Sequence, residues 1–291
     1  MTVAEADAVA RLTGEIKEVA LRAGADVVGV ADPESWNEFV PEGYRPADHL
    51  PGVRSVVVVG ARGPTAGAWR CPDHRLMEVN GYDFRNDVII HIVADHIERR
   101  LDHYAMQAPS MPVGGQQPTF SIMLAAVLAG LGTRSLAANI ILNPKYGLLY
   151  YSACFTTLPL NFDPRLPQDA CPHPMCVTMF RNLGKTPCLS ACHVEDDGCL
   201  DGRIGADGRI EYSYYDRERC ATRAMNFGIN TFQKAMEQIV NSDSETERRN
   251  MIYSDFFARS CNAVSNFRES VAQCFECMRV CPITRQERKL K

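Results

Sequence analysis

Apolar positions along the chain fall into blocks of helical and strand-like spacing. Residues 5–24 place Val9, Leu12, Ile16 and Val19 on one helical face, with Gly24 as a stop. Residues 25–31 (ADVVGVA) predict a short buried strand ended by Asp32 and Pro33. After a Pro- and Gly-rich loop over 41–52, residues 54–61 (RSVVVVGA) form a continuous β-branched run. That run suits a strand buried on both faces. A long helix is predicted over 86–106, with Val88, Ile89, Ile92, Val93, Ile97 and Leu101 as its stripe. A loop over 108–119 leads to a short helix, 120–129, ending at Gly130 and Gly132. A strand-like 139–142, a turn over 143–147 and a strand over 148–157 follow. Residues 158–170 hold three prolines and read as a linker. The alternation predicts an α/β or α+β fold, with domains at 1–168 and 169–291. The second part reads as loop-rich, with one helical block near 225–240.

Composition narrows the possibilities. Of 291 residues, 46% are hydrophobic, enough for a core, and 23% are charged, which is ordinary for a globular chain. A net charge of −4 gives no electrostatic basis for binding nucleic acid, and none is expected. No apolar run approaches the ~20 residues of a membrane span. The N-terminal residues lack a basic, apolar or twin-arginine pattern, so a cytoplasmic location is expected. In that compartment clustered cysteines serve as metal ligands before they serve as disulfides. The histidines of the long helix, His91, His96 and His103, do not share the i, i+4 spacing of a metal pair, and read as boundary positions.

Cysteine placement carries the chemistry. Of the 12 cysteines, ten lie between Cys171 and Cys281. Cys274, Cys277 and Cys281, followed by Pro282, form C-x2-C-x3-C-P. This matches the last three cysteines of the bacterial ferredoxin run, whose final cysteine ligates the other cluster. Upstream, Cys188 and Cys192 form C-x3-C, with Cys171 and Cys176 before them at gaps of x4 and x11. Cys220 adds one more thiolate. These eight suit two [4Fe–4S] clusters. The swapped logic assigns Cys171, Cys176, Cys188 and Cys281 to the first, and Cys192, Cys220, Cys274 and Cys277 to the second. Cys199 competes for an upstream position and Cys261 for the second set. Cys71 and Cys154 read as structural thiols. Zinc is the competing metal, since Cys274 and Cys277 alone would serve as half of a zinc site.

Further motifs carry a family resemblance. Residues 49–58 (HLPGVRSVVV), Ala129-Gly130-Leu131-Gly132, Asn143-Pro144-Lys145-Tyr146-Gly147, Thr156-Thr157-Leu158-Pro159-Leu160 and Asp216–Cys220 occur in this order. The chain resembles the epoxyqueuosine reductases and corrinoid reductive dehalogenases. The resemblance covers most of its length. It implies an α+β fold: a nitroreductase-like corrinoid-binding domain, then a ferredoxin-like domain with two [4Fe–4S] clusters. It implies a base-off cobalamin, with Gly130, Leu131, Gly132, Asn139, Pro144 and Gly147 as cofactor-binding residues. Electrons would pass from an external ferredoxin- or flavodoxin-type donor through the clusters to cobalt, and then to a small-molecule substrate. A homodimer is the oligomeric state that comes with the resemblance. The alternative is an iron–sulfur electron-transfer or corrinoid-reactivating protein without substrate chemistry of its own.

The chain departs from the resemblance in its acid. No acidic residue lies between Asp102 and Asp163, and Gln116 and Gln117 stand where epoxyqueuosine reductases carry a proton-donating Asp. A glutamine cannot act as a general acid. The resemblance to the dehalogenases points instead to a tyrosine with a nearby cation. Tyr146 and Arg134 are the catalytic candidates, with Tyr82, Tyr150 and Tyr151 behind them.

Overall fold

The computed structural model describes residues 2–63, 70, 85–109, 119–137, 140–192, 198–216, 219, 229–265 and 276–286. Helix α1 (Val3–Arg22) opens on a capping box in which Thr2 and Glu5 bond each other's backbone N–H. Strand β1 (Val27–Ala31) follows the turn at Gly24. A 3-10 turn (Pro33–Glu38) and the short α2 (Pro46–His49) lead into β2 (Ser55–Arg62). Then come α3 (Arg85–Leu101), β3 (Ala105–Gln107) and α4 (Ile122–Leu128). Strands β4 (Thr133–Arg134), β5 (Ile141–Asn143) and β6 (Gly147–Thr156) complete one sheet. Its order is β1-β2-β6-β5-β4, with β3 also pairing β6, and every pairing is antiparallel.

The four-valine run of β2 works as predicted for burial, though the sheet is not parallel. Val57 and Val59 face α1 and α3, beside Ile16, Ile89, Val93 and Ile97. Val56 and Val58 face α4, Trp36 and Phe120. Helices on both faces of an antiparallel sheet remove the usual polar side, so both phases of the alternation are apolar.

The long-helix expectation over 86–106 overshoots. Helix α3 ends at Leu101, and Asp102 takes a left-handed backbone (φ 56°) that turns the chain so that Ala105–Gln107 pairs with β6. His96 bonds Glu15 at 2.7 Å and His103 lies 3.3 Å from Thr157 Oγ1, so both serve as boundary contacts.

Beyond the linker the chain is more helical than its sequence pattern suggests. Helices α5 (Pro174–Leu183) and α6 (Pro187–Ala191) precede a hairpin of β7 (Leu200–Ile204) and β8 (Ile210–Tyr215). Helices α7 (Ile229–Asn241), α8 (Glu245–Ile252) and α9 (Asp255–Ser265) pack together, with Phe232 against Phe257. The short α10 (Glu276–Arg279) and α11 (Pro282–Gln286) close the described chain. A third core joins both sides of position 168. It holds Leu136, Leu142 and Leu148 with Cys171, Cys192, Cys199, Met278 and Cys281.

Candidate functional site: a four-cysteine cavity

Local sequence places each thiol. His173 caps α5 with its side chain on Met175 N, which sets Cys176 in the first turn. Thr186 caps α6 and Pro187 opens it, which sets Cys188 one residue later. Cys281 directly precedes Pro282, the first residue of α11, as expected for a cysteine whose chain exits into a helix. Cys171 stands just before α5. These four line one small apolar pocket, with Leu136 and Ile283 among its walls.

The electrostatics mark the four as neighbours. Burial pushes the Cys171 thiol up to about 12, and the sulfurs of Cys188, Cys281 and Cys176 push the same way against a bond from Leu136. Cys176 is raised to about 11 by burial, with Cys188 and Cys281 adding to it. Burial also raises Cys188, opposed by its bond to Thr186. Leu136 N–H reaches Cys171 Sγ at 3.4 Å. Without metal the thiols of Cys171, Cys176 and Cys188 hold their protons, and metal binding must displace them.

The donor set is four thiols on apolar walls. Among the described residues no group of three His, Cys, Asp or Glu side chains is closed up tightly enough to hold a metal ion. By donor chemistry, four cysteines lining one pocket fit either a tetrathiolate zinc ion or an iron–sulfur cluster.

The second cysteine set is only partly described. Cys220 and Cys274 lie outside the described residues, as do Cys71, Asn139, Tyr82, Gln116 and Gln117. Cys192 does not line the first cavity. Its Sγ stands 3.3 Å from Cys199 Sγ and accepts the Cys199 N–H at 3.1 Å. Cys277 packs half-buried against the same core. Cys261 is exposed on α9, and Cys154 is buried in the sheet.

Of the residues singled out for substrate and corrinoid, Pro144, Tyr146 and Gly147 lie at the start of β6. Asn143 orders the turn: its Oδ1 accepts from Lys145 N and Tyr146 N, and its Nδ2 donates to Leu131 O. Pro144 sits within this turn. The Tyr146 ring has Lys145 Nζ at 4.8 Å and the Arg62 guanidinium at 5.6 Å. Arg134 turns elsewhere, toward Ser213 O at 3.4 Å. Sequence reasoning missed Arg62, whose place beside Tyr146 follows from the β2–β6 pairing. Tyr151 is a core residue, with burial raising its hydroxyl pKa.

The three glycines turn their bare side to the chain itself. A Cβ at Gly130 would meet Pro164 O at 2.2 Å, one at Gly132 would meet Ile141 at 2.5 Å, and one at Gly147 would meet Thr284 at 2.7 Å. Gly130 closes α4 as a helix stop: its N–H bonds Val127 O and the Leu131 N–H bonds Ala126 O. The close packing on that side requires glycine at all three positions.

The same architecture occurs in solved structures. An epoxyqueuosine reductase bound to an epoxyqueuosine-modified transfer-RNA stem loop superposes with TM-score 0.54 at 19% identity, over 95% of this chain and 66% of that one. The epoxyqueuosine reductase from Bacillus subtilis gives the same values. A catabolic reductive dehalogenase gives TM-score 0.55 at 18% identity, over 96% of this chain and 33% of that one. This chain has their fold. It spans about two thirds of the length of the reductases and about a third of the dehalogenase. No protein-family model and no curated protein matches it.

Proposed function

We propose that this chain is an iron–sulfur reductase acting on a small-molecule substrate. Cys171, Cys176, Cys188 and Cys281 would hold one [4Fe–4S] cluster, and Cys192, Cys220, Cys274 and Cys277 a second. The observation that carries the reading is the four-cysteine cavity, whose thiols come from two distant segments in the swapped manner of two-cluster ferredoxins. The fold likeness to reductases and dehalogenases supports a reductive role.

Corrinoid dependence belongs to the same proposal. It is supported by the fold likeness to a dehalogenase whose structure was solved in the context of B12-dependent dehalogenation. When bound, a corrinoid supplies low-valent cobalt as the reductant. In this reading Tyr146, with Lys145 and Arg62 at its ring, delivers the proton, and the lack of an acid between Asp102 and Asp163 argues for a substrate other than epoxyqueuosine. The packed glycines favour a second reading, an iron–sulfur electron-transfer or corrinoid-reactivating protein.

Anaerobic purification with iron, sulfide, zinc and corrinoid analysis tests both. The proposal expects brown protein with about eight iron per chain and a base-off cobalt spectrum after cobalamin reconstitution. A colourless zinc protein overturns the cluster assignment. Iron without retained corrinoid leaves the electron-transfer reading.

A further inference from the structure

Thr186 makes a contact that ligation alone does not require. Its Oγ1 lies 3.2 Å from Cys188 Sγ and 3.5 Å from Leu189 N, whose N–H it accepts. The residue is fully buried, at 0% exposure, and lines the four-cysteine cavity. With a lone pair given to Leu189 N–H, the hydroxyl hydrogen remains for the sulfur. A metal-bound thiolate carries no hydrogen, so in a loaded site the hydroxyl is the donor. Pro187 has no N–H to offer that sulfur. Across the cavity, Leu136 N–H serves Cys171 in the same way. The backbone bond survives side-chain substitution, whereas the hydroxyl bond is removable.

We propose that Thr186 is a positioning residue that sets the reduction potential of the first cluster. This rests on the cysteine assignment above. Reduction brings one electron from a low-potential donor, with no bond broken and no proton moved. The added charge spreads onto the thiolate sulfurs. An O–H dipole aimed at Cys188 Sγ therefore stabilises the reduced state more than the oxidised one, and does so strongly among apolar walls.

Thr186→Val keeps the shape and removes the O–H, while Thr186→Ser restores it. Each full-length protein, purified anaerobically, is poised with dithionite and redox dyes and followed by the EPR signal of the reduced cluster. The Val variant should keep its iron and shift one midpoint potential negative by about tenfold in the reduction equilibrium, ~59 mV for one electron. The Ser variant should return that potential to the wild-type value, and the other cluster should not move. An iron-loaded Val variant with the wild-type potential overturns the proposal, as does a Ser variant shifted as far as Val. If the Val variant loses the cluster, Thr186→Ala takes its place under the same criterion. Wild-type protein without iron overturns the cysteine assignment itself, and the Thr186 role with it.

Discussion

Cys154 and Cys171 show how neighbours separate a core thiol from a site thiol. Both are buried and both are pushed up to about 12, chiefly by burial. Around Cys171 the next influences include three further sulfurs. Around Cys154 they are the backbone at Met106 and the carboxylate of Glu98. Cys154 keeps its proton in the folded chain when an unfolded chain, at an ordinary thiol value of 9.0, has lost it. Its stabilising effect is complete below pH 9 and is lost as pH rises toward about 12. The loss is about 1.4 kcal/mol per pH unit within that window. Urea melts at pH 8 and pH 10 should show a steeper loss for wild type than for Cys154→Ala. That Cys171, Cys176, Cys188 and Cys281 line one pocket agrees with the neighbourhood that the ferredoxin-like spacing predicts, in which the last cysteine crosses to the upstream set. The Arg62–Tyr146 contact was not legible in the sequence. It arises from a strand register, Arg62 opposite Leu149, between segments far apart in the chain.

Elements were legible where one local pattern decides them. Helix α1 begins on a capping box and carries its stripe, and β2 shows its two buried faces as an unbroken valine run. The end of α3 was not legible, because the apolar spacing continues past Asp102 while strand pairing with β6 claims residues 105–107. The short α10 and α11 are too brief for periodicity to mark, and packing against α6 and β6 holds them. Glycine separates local from tertiary demands most sharply. Gly14 is exposed within α1 with nothing near its absent Cβ, so Gly14→Ala should stabilise by about 0.5–1 kcal/mol. Gly130 has φ +69° and a carbonyl 2.2 Å from its Cβ position, so Gly130→Ala should destabilise by at least about 1–2 kcal/mol. Paired chemical denaturation of the two variants measures both signs.

At the scale of the molecule, the cysteine cavity ties the sheet to the end of the described chain. Leu136 and Leu148 belong to the sheet region, Cys281 and Ile283 to the last helices, and Gly147 sits directly against Thr284. The 168/169 division marks a change of composition, yet one core crosses it. If this core holds the proposed cluster, metal there should therefore support the whole fold. Stripping iron with a chelator under anaerobic conditions should lower the unfolding temperature and expose the last helices to protease first. An unchanged melting temperature after complete iron loss would contradict that coupling. The cavity also imposes an order on biosynthesis. Cys171, Cys176 and Cys188 are made about 110 to 90 residues before Cys281. At ribosomal rates of roughly 5–20 residues per second, they wait on the order of 5–20 s for their fourth wall. Until then the three thiols stand without the partner that completes their enclosure, so the interval between their synthesis and its closure is the time at which the nascent chain most needs protection from oxidants.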